Sequence, residues 1–347
     1  MSLLRLVLML SIFLPLACKT STTSLELDHG KDDGNSRSSA QLARFAPWLD
    51  ELSLVLKPEG IPDLDLITKN LVIGPARVAS YNLQALARLY ESEGNLFKNL
   101  RSDFKKLEDA IGTYDKWTNI MVAATKGGAS SNTKQRLLEE QNSAMKNLKN
   151  LLKQDDWTGK GNKSRINRIY NDLENFDWLN QERDRKMLLS KIADELKSLE
   201  KTKFSFARLE NGNGLHELRR NLKWIIIEMR VLNGLFIFNP TAKCDIPAYN
   251  QLANEPISAS KYSSLKPSQL ETNACEVDQC LFLGMVQLIE EIGFQKDIAE
   301  AEINSNISRK SSDLVPENVR KEIQPLYDKM VSSGLVGSLR KQISACQ

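Results

Sequence analysis

The chain has 347 residues, 41% hydrophobic and 26% charged, which excludes a wholly disordered polymer. Lys+Arg 47 against Asp+Glu 44 leaves a formal charge of +3, too balanced for a general nucleic-acid binder, so no nucleic acid is expected. Two histidines, His29 and His216, cannot build a multi-histidine metal site, and no metal or other cofactor is expected.

In chain order, the first segment reads MSLLRLVLMLSIFLPLAC. Arg5 supplies a positive start and Leu6 to Leu16 an apolar run, shorter than the ~20 residues a spanning helix needs. Residues 1–17 therefore read as an export signal. Ala17-Cys18 resembles a bacterial lipobox, although Pro15 and Leu16 depart from its preferred residues, and it marks Cys18 as the lipidation candidate. Residues 18–40, rich in Ser, Thr, Gly and Asp, lack apolar periodicity and read as a flexible tether. The expected location is the bacterial cell envelope, with the protein exported and lipid-anchored to a membrane.

From residue 41 the apolar residues recur at helical spacing. Leu96, Leu100, Phe104, Leu107 and Ile111 form one stripe, Leu137 to Leu152 a second, and Met187, Leu188, Ile192, Leu196 and Leu199 a third. Breaks fall at 57–65, at KGGASSN (126–132), at 157–163 and at ENGNG (210–214). The segment VLNGLFIF is read as a continuation of the helix that starts near His216. An irregular insertion follows near 239–272, and the last helices are placed at 280–306 and about 316–345. The expected fold class is all-α, with two helical-bundle repeats packed into one elongated helical body. The first repeat region would be 41–210 and the second 211–347.

Beyond Cys18, the cysteines are Cys244, Cys275, Cys280 and Cys346. Export to an oxidising compartment makes an even number read as two disulfides, with three pairings open. Stapling the most chain favours Cys244 with Cys275 or Cys280, and Cys346 with the other. Free buried thiols are the alternative. The Cys275/Cys280 spacing does not suit a zinc knuckle.

Two segments are alike: FKKLEDAIGTYDKWTNI (Phe104 to Ile120) and MVQLIEEIGFQKDIAEA (Met285 to Ala301). Gly112 corresponds to Gly293, and Asp115 and Asp297 follow. Upstream of them lie ARVASYNLQALARLY (Ala76 to Tyr90) and LHELRRNLKWIIIEMRVL (Leu215 to Leu232). This order resembles the CHAD family, the conserved histidine α-helical domain, over about residues 74–301. His216, Arg219, Arg220 and Lys223 fall on the family's basic positions. In the first repeat Arg77 and Arg88 remain, Gly74 stands in the place of the histidine, and Tyr81, Asn82 and Gln84 stand where basic residues are usual.

The resemblance implies a polyanion partner, polyphosphate above all, held by converging basic side chains. The implied ligand-binding residues are His216, Arg219, Arg220, Lys223, Arg77 and Arg88, with Arg230 further along the same helix face. The resulting expectation is a lipid-anchored envelope protein that binds polyphosphate or another polyanion. The alternative is a non-catalytic helical scaffold that binds an envelope protein partner, its anionic site lost and its basic stripe a solvated face paired with carboxylates. No catalytic set stands out, since Glu290 and Glu291 point apart on a helix and no phosphate-cradling glycine loop is present. An enzyme is not expected.

Overall fold

Apolar spacing becomes helix wherever a cap or a left-handed residue ends the run. The computed structural model of the chain describes residues 40–56, 63–159, 164–209, 213–239, 246, 257, 259–265, 273–305 and 314–347. These belong to one unit that begins at residue 38. The proposed signal segment, the tether with Cys18 and His29, and Cys244 lie outside the described residues. The body is all-α. It comprises α1 (Leu42–Leu56), α2 (Leu64–Ile73), α3 (Ala76–Leu89), α4 (Asn95–Lys126), α5 (Ser131–Gln154), α6 (Arg165–Glu174) and α7 (Gln181–Lys201). These are followed by α8 (Leu215–Val231), α9 (Gln279–Ser305), α10 (Glu317–Ser332) and α11 (Leu335–Ala345).

The breaks read from sequence separate these helices. Asp63 caps α2 by accepting from the Asp65 N–H at 2.9 Å, and Ser130 caps α5 by accepting from the Thr133 N–H at 3.2 Å. Gly128, with φ 71°, stands between α4 and α5. Leu100, Phe104, Leu107 and Ile111 of the α4 stripe are buried, as are Leu188, Ile192, Leu196 and Leu199 of α7.

Two helices are interior, and they position the site. α3 is buried nearly all round, with Ala76, Ala79, Ala85 and Ala87 letting neighbours approach closely. It packs against α1, α2 and α4. α8 buries Leu218, Leu222, Ile225, Ile226 and Met229 and packs against α7 and α9. α3 also packs on α8, so the two central helices meet. α11 closes the second group against α7, α9 and α10.

Two readings are corrected. VLNGLFIF does not continue the α8 helix, which ends at Val231. Asn233 (φ 36°) and Gly234 (φ 90°) enter the left-handed region and stop it. Phe236–Phe238 then forms a short strand, β1, that pairs in parallel with β2 (Cys275–Val277), Phe236 opposite Cys275. The β-branched and aromatic FIF run follows strand preference once the helix is broken. The segment 316–345 is two helices, because Gly334 (φ 67°) turns the chain between α10 and α11. Of the two partners left open for Cys346, the structure takes Cys275, a closure of 71 residues that ties β2 to the end of α11. Cys280 is disulfide-bonded as well. Among the described residues no helix is long and apolar enough to cross a membrane.

Candidate functional site: a cationic cavity between the central helices

The site grows out of one local device used twice. Arg77 opens α3 and Arg219 lies in the second turn of α8. Each lays its guanidinium over the glycine of an Ile-Gly pair on the long helix packed alongside. A Cβ at Gly112 would come within 3.1 Å of Arg77 Nη2, and one at Gly293 within 2.7 Å of Arg219 Nε. Only glycine leaves that groove open. One turn on from each arginine, at i+4, stand Tyr81 and Lys223. Lys223 Nζ sits 3.7 Å from the Tyr81 ring centroid, so the corresponding positions of the two helices touch.

Around this contact lie two adjoining cavities that share Tyr81, Arg219 and Lys223. The first, of about 400 Å³, is also lined by Arg77, Arg230, Lys261 and Tyr262, with Val78, Asn82 and Ile227 completing the wall. The second, of about 340 Å³, is lined by Arg88, His216, Arg220, Arg101, Lys105 and the carboxylates of Glu108 and Asp109. All six residues singled out by sequence thus fall on these two walls, but they divide: Arg77, Arg219 and Lys223 line the first, and Arg88, His216 and Arg220 only the second.

The two cavities differ in how their cations are compensated. In the second, Arg88 donates to Glu195 Oε1 at 2.7 Å and to Glu228 Oε1 at 2.8 Å. Arg220 pairs with Glu217 at 2.7 Å, Lys105 with Asp109 at 2.5 Å, and Arg101 with Glu91. In the first, Arg77 pairs with Asp115 and, at 3.5 Å, with Glu108. Arg219, Lys223, Arg230 and Lys261 form no ion pair with a described carboxylate, although Glu290 attracts Lys261 and Glu108 attracts Lys223 at longer range. Arg219 Nε reaches only the Ile289 carbonyl, at 3.4 Å, and Arg230 Nε only that of Ser264, at 3.1 Å. Aromatic faces carry part of the load. Tyr262 is buried with Lys261 Nζ 5.2 Å from its ring centroid and Arg230 Cζ at 6.0 Å. Arg77 Cζ lies 5.9 Å from the Tyr81 ring.

The electrostatics follow from that geometry. Lys223 is pushed down to about 7, by burial first and then by the charge of Arg219. Glu108 opposes the shift, and Lys261 and Arg77 add to it. The Tyr262 hydroxyl is pushed up to about 12 by burial, against the pull of Arg219. Glu228, fully buried at the Arg88 pair, is raised well above the usual carboxylate range, by burial and then by Glu195, in spite of its cation. The Lys223 shift reports repulsion from Arg219, Lys261 and Arg77. A lining of this kind is therefore held at a cost that an entering anion relieves.

Sequence reasoning missed Lys261 and Tyr262, which stand in an irregular segment with no periodicity to place them, and it had Tyr81 as a lost basic position. The pairing of Arg88 came from Glu195 and Glu228, at sequence separations of 107 and 140. Among the described residues no group of three or more His, Cys, Asp or Glu is placed to hold a metal ion. Compared with protein families, with curated proteins and with solved structures, the chain matches none.

Proposed function

We propose that this protein is an anion-binding protein and that its site is the cavity lined by Arg77, Arg219, Lys223, Arg230 and Lys261. The observation that carries the reading is the set of cations outside any ion pair: four side chains converge on one cavity with no ion-pair partner among the described residues. A solvated basic face would be laced with ion pairs, as the second cavity is. Guanidinium and ammonium donors around a cleft suit phosphate oxygens, whose charge-assisted hydrogen bonds are the strong ones. Binding needs no chemical step from these residues, so the reading is of a non-catalytic binder.

The wider reading keeps the expectations drawn from sequence. The repeated placement of an arginine over an Ile-Gly glycine supports a CHAD-like, two-repeat body. The signal-like first segment and Cys18 support an exported protein tethered by lipid to a membrane of the bacterial envelope. Polyphosphate is the first ligand to try. Titration at rising salt is the test: affinity should fall steeply with salt, because converging charges dominate the binding. Salt-insensitive binding, or none at low salt, would count against the site and return the scaffold reading, in which the partner is an envelope protein.

A further inference from the structure

The anion-site reading, on which this step rests, does not fix the length of the anion. We propose that the first cavity takes a compact anion, a di- or triphosphate group, and gains nothing from the part of a longer polyphosphate chain that would continue into the second cavity.

Three observations carry this. First, Arg219 and Lys223 are shared by the two cavities, and the two further unpaired cations both lie on the first. Arg230 and Lys261 line the first cavity only, whereas Arg88, Arg101, Lys105 and Arg220, on the second, are each held by a carboxylate. A chain running on through the second cavity would find its cations already engaged by carboxylates, with only the shared Arg219 and Lys223 unpaired. Second, about 400 Å³ lies toward the small end of ligand pockets, which run from about 300 to 1,000 Å³, and is the size for a small molecule rather than a polymer. Third, Arg219, Lys223, Arg230 and Lys261 number four, a match for the charge of a free di- or triphosphate. Val78, Ile227 and Tyr262 leave an apolar wall where the organic part of an ester would rest.

The Tyr81–Lys223 contact is then the determinant of ligand length. The ammonium is held against the ring at the boundary that the two cavities share. A lysine or arginine at position 81 would instead carry a cation toward the second cavity.

The experiment is calorimetric titration of the whole protein with phosphate, pyrophosphate, tripolyphosphate, cyclic trimetaphosphate and long-chain polyphosphate, at one ionic strength and with concentrations counted per molecule. Affinity is expected to rise at least about tenfold from phosphate to tripolyphosphate and then stay level for the long chain. The cyclic anion should bind within about tenfold of the linear one. An ADP arm separates sources: affinity equal to pyrophosphate marks the free anion, and tighter binding an ester. Both fit a compact group. Affinity that climbs steadily with chain length, with several protein molecules on each chain and weak binding of the cyclic anion, overturns the compact-anion proposal while leaving the anion site standing. Failure of every anion overturns both. Tyr81→Arg gives an independent check, since it should add chain-length dependence, raising the ratio of long-chain to tripolyphosphate affinity. Unchanged length dependence in a folded Y81R protein overturns the role given to Tyr81.

Discussion

Lys223 carries its ammonium on the Tyr81 ring, one helical turn beyond Arg219. Its ordinary value is 10.5, and burial with the charge of Arg219 brings it down to about 7. Between about pH 7 and 10.5 an unfolded chain holds a proton that the folded protein has released. This group therefore makes the unliganded protein more stable as pH rises through that window, and the full cost of the buried charge returns below about 7. An anion in the cavity draws the proton back. Binding should take up a proton above pH 7 and weaken as pH rises through 7, with Arg219, Arg77, Lys261, Tyr81 and Glu108 as the facing groups. Lys223→Arg keeps the charge and should flatten this dependence. Dividing wild-type by K223R affinities at each pH cancels the ligand's own titration. Identical pH profiles would show that Lys223 is not the group that titrates.

At the scale of elements, the site rests on two arginines that lie against a neighbouring helix because glycine leaves them room. Gly293→Ala forces the Arg219 guanidinium out of its groove, and since that guanidinium is the far end of a flexible chain, the fold has little to lose. Anion affinity should drop about tenfold, worth ~1.4 kcal/mol, with Tm nearly unchanged. Gly112→Ala, where the approach to Arg77 is 3.1 Å, should have a smaller effect on binding. A G293A protein that binds like wild type would separate Arg219 from the site. Arg88 plays another part: it bridges α3 to Glu195 of α7 and Glu228 of α8. Arg88→Ala leaves Glu228 buried without its cation and should destabilise by about 3–5 kcal/mol in chemical denaturation at neutral pH. Glu228→Gln, neutral where burial already disfavours charge, should cost much less. Equal losses would contradict the assignment of Glu228 as the costly partner.

At the scale of the whole molecule, periodicity and composition made most of the helical body legible, because amphipathic stripes and capped breaks are local signals. The α4 stripe, the α7 stripe and the break at KGGASSN were all readable in that way. The end of α8 was not, since one Asn-Gly pair in left-handed conformation outweighed an apolar run that suits either helix or strand. Of the site, Arg77, Arg219 and Lys223 were singled out through the family resemblance. Their division from Arg88 and Arg220 was not legible, because carboxylates distant in sequence decide which cations are neutralised. Lys261 and Tyr262 reach the cavity only through the tertiary path of the segment between β1 and β2, where no repeat pattern operates.

Four cations with no ion-pair partner among the described residues converge on one cavity, and an anion that binds there must depend on them. The most direct test of that dependence is calorimetric titration of tripolyphosphate into wild type and an Arg219→Ala, Lys223→Ala double variant, with folding of each checked by circular dichroism. One anion should bind per wild-type molecule. The double variant should lose about a hundredfold or more in affinity, at roughly 1.5–3 kcal/mol for each charged hydrogen-bonding group removed. Equal affinity for the folded variant, or a wild-type protein that takes no anion at low salt, would contradict the account.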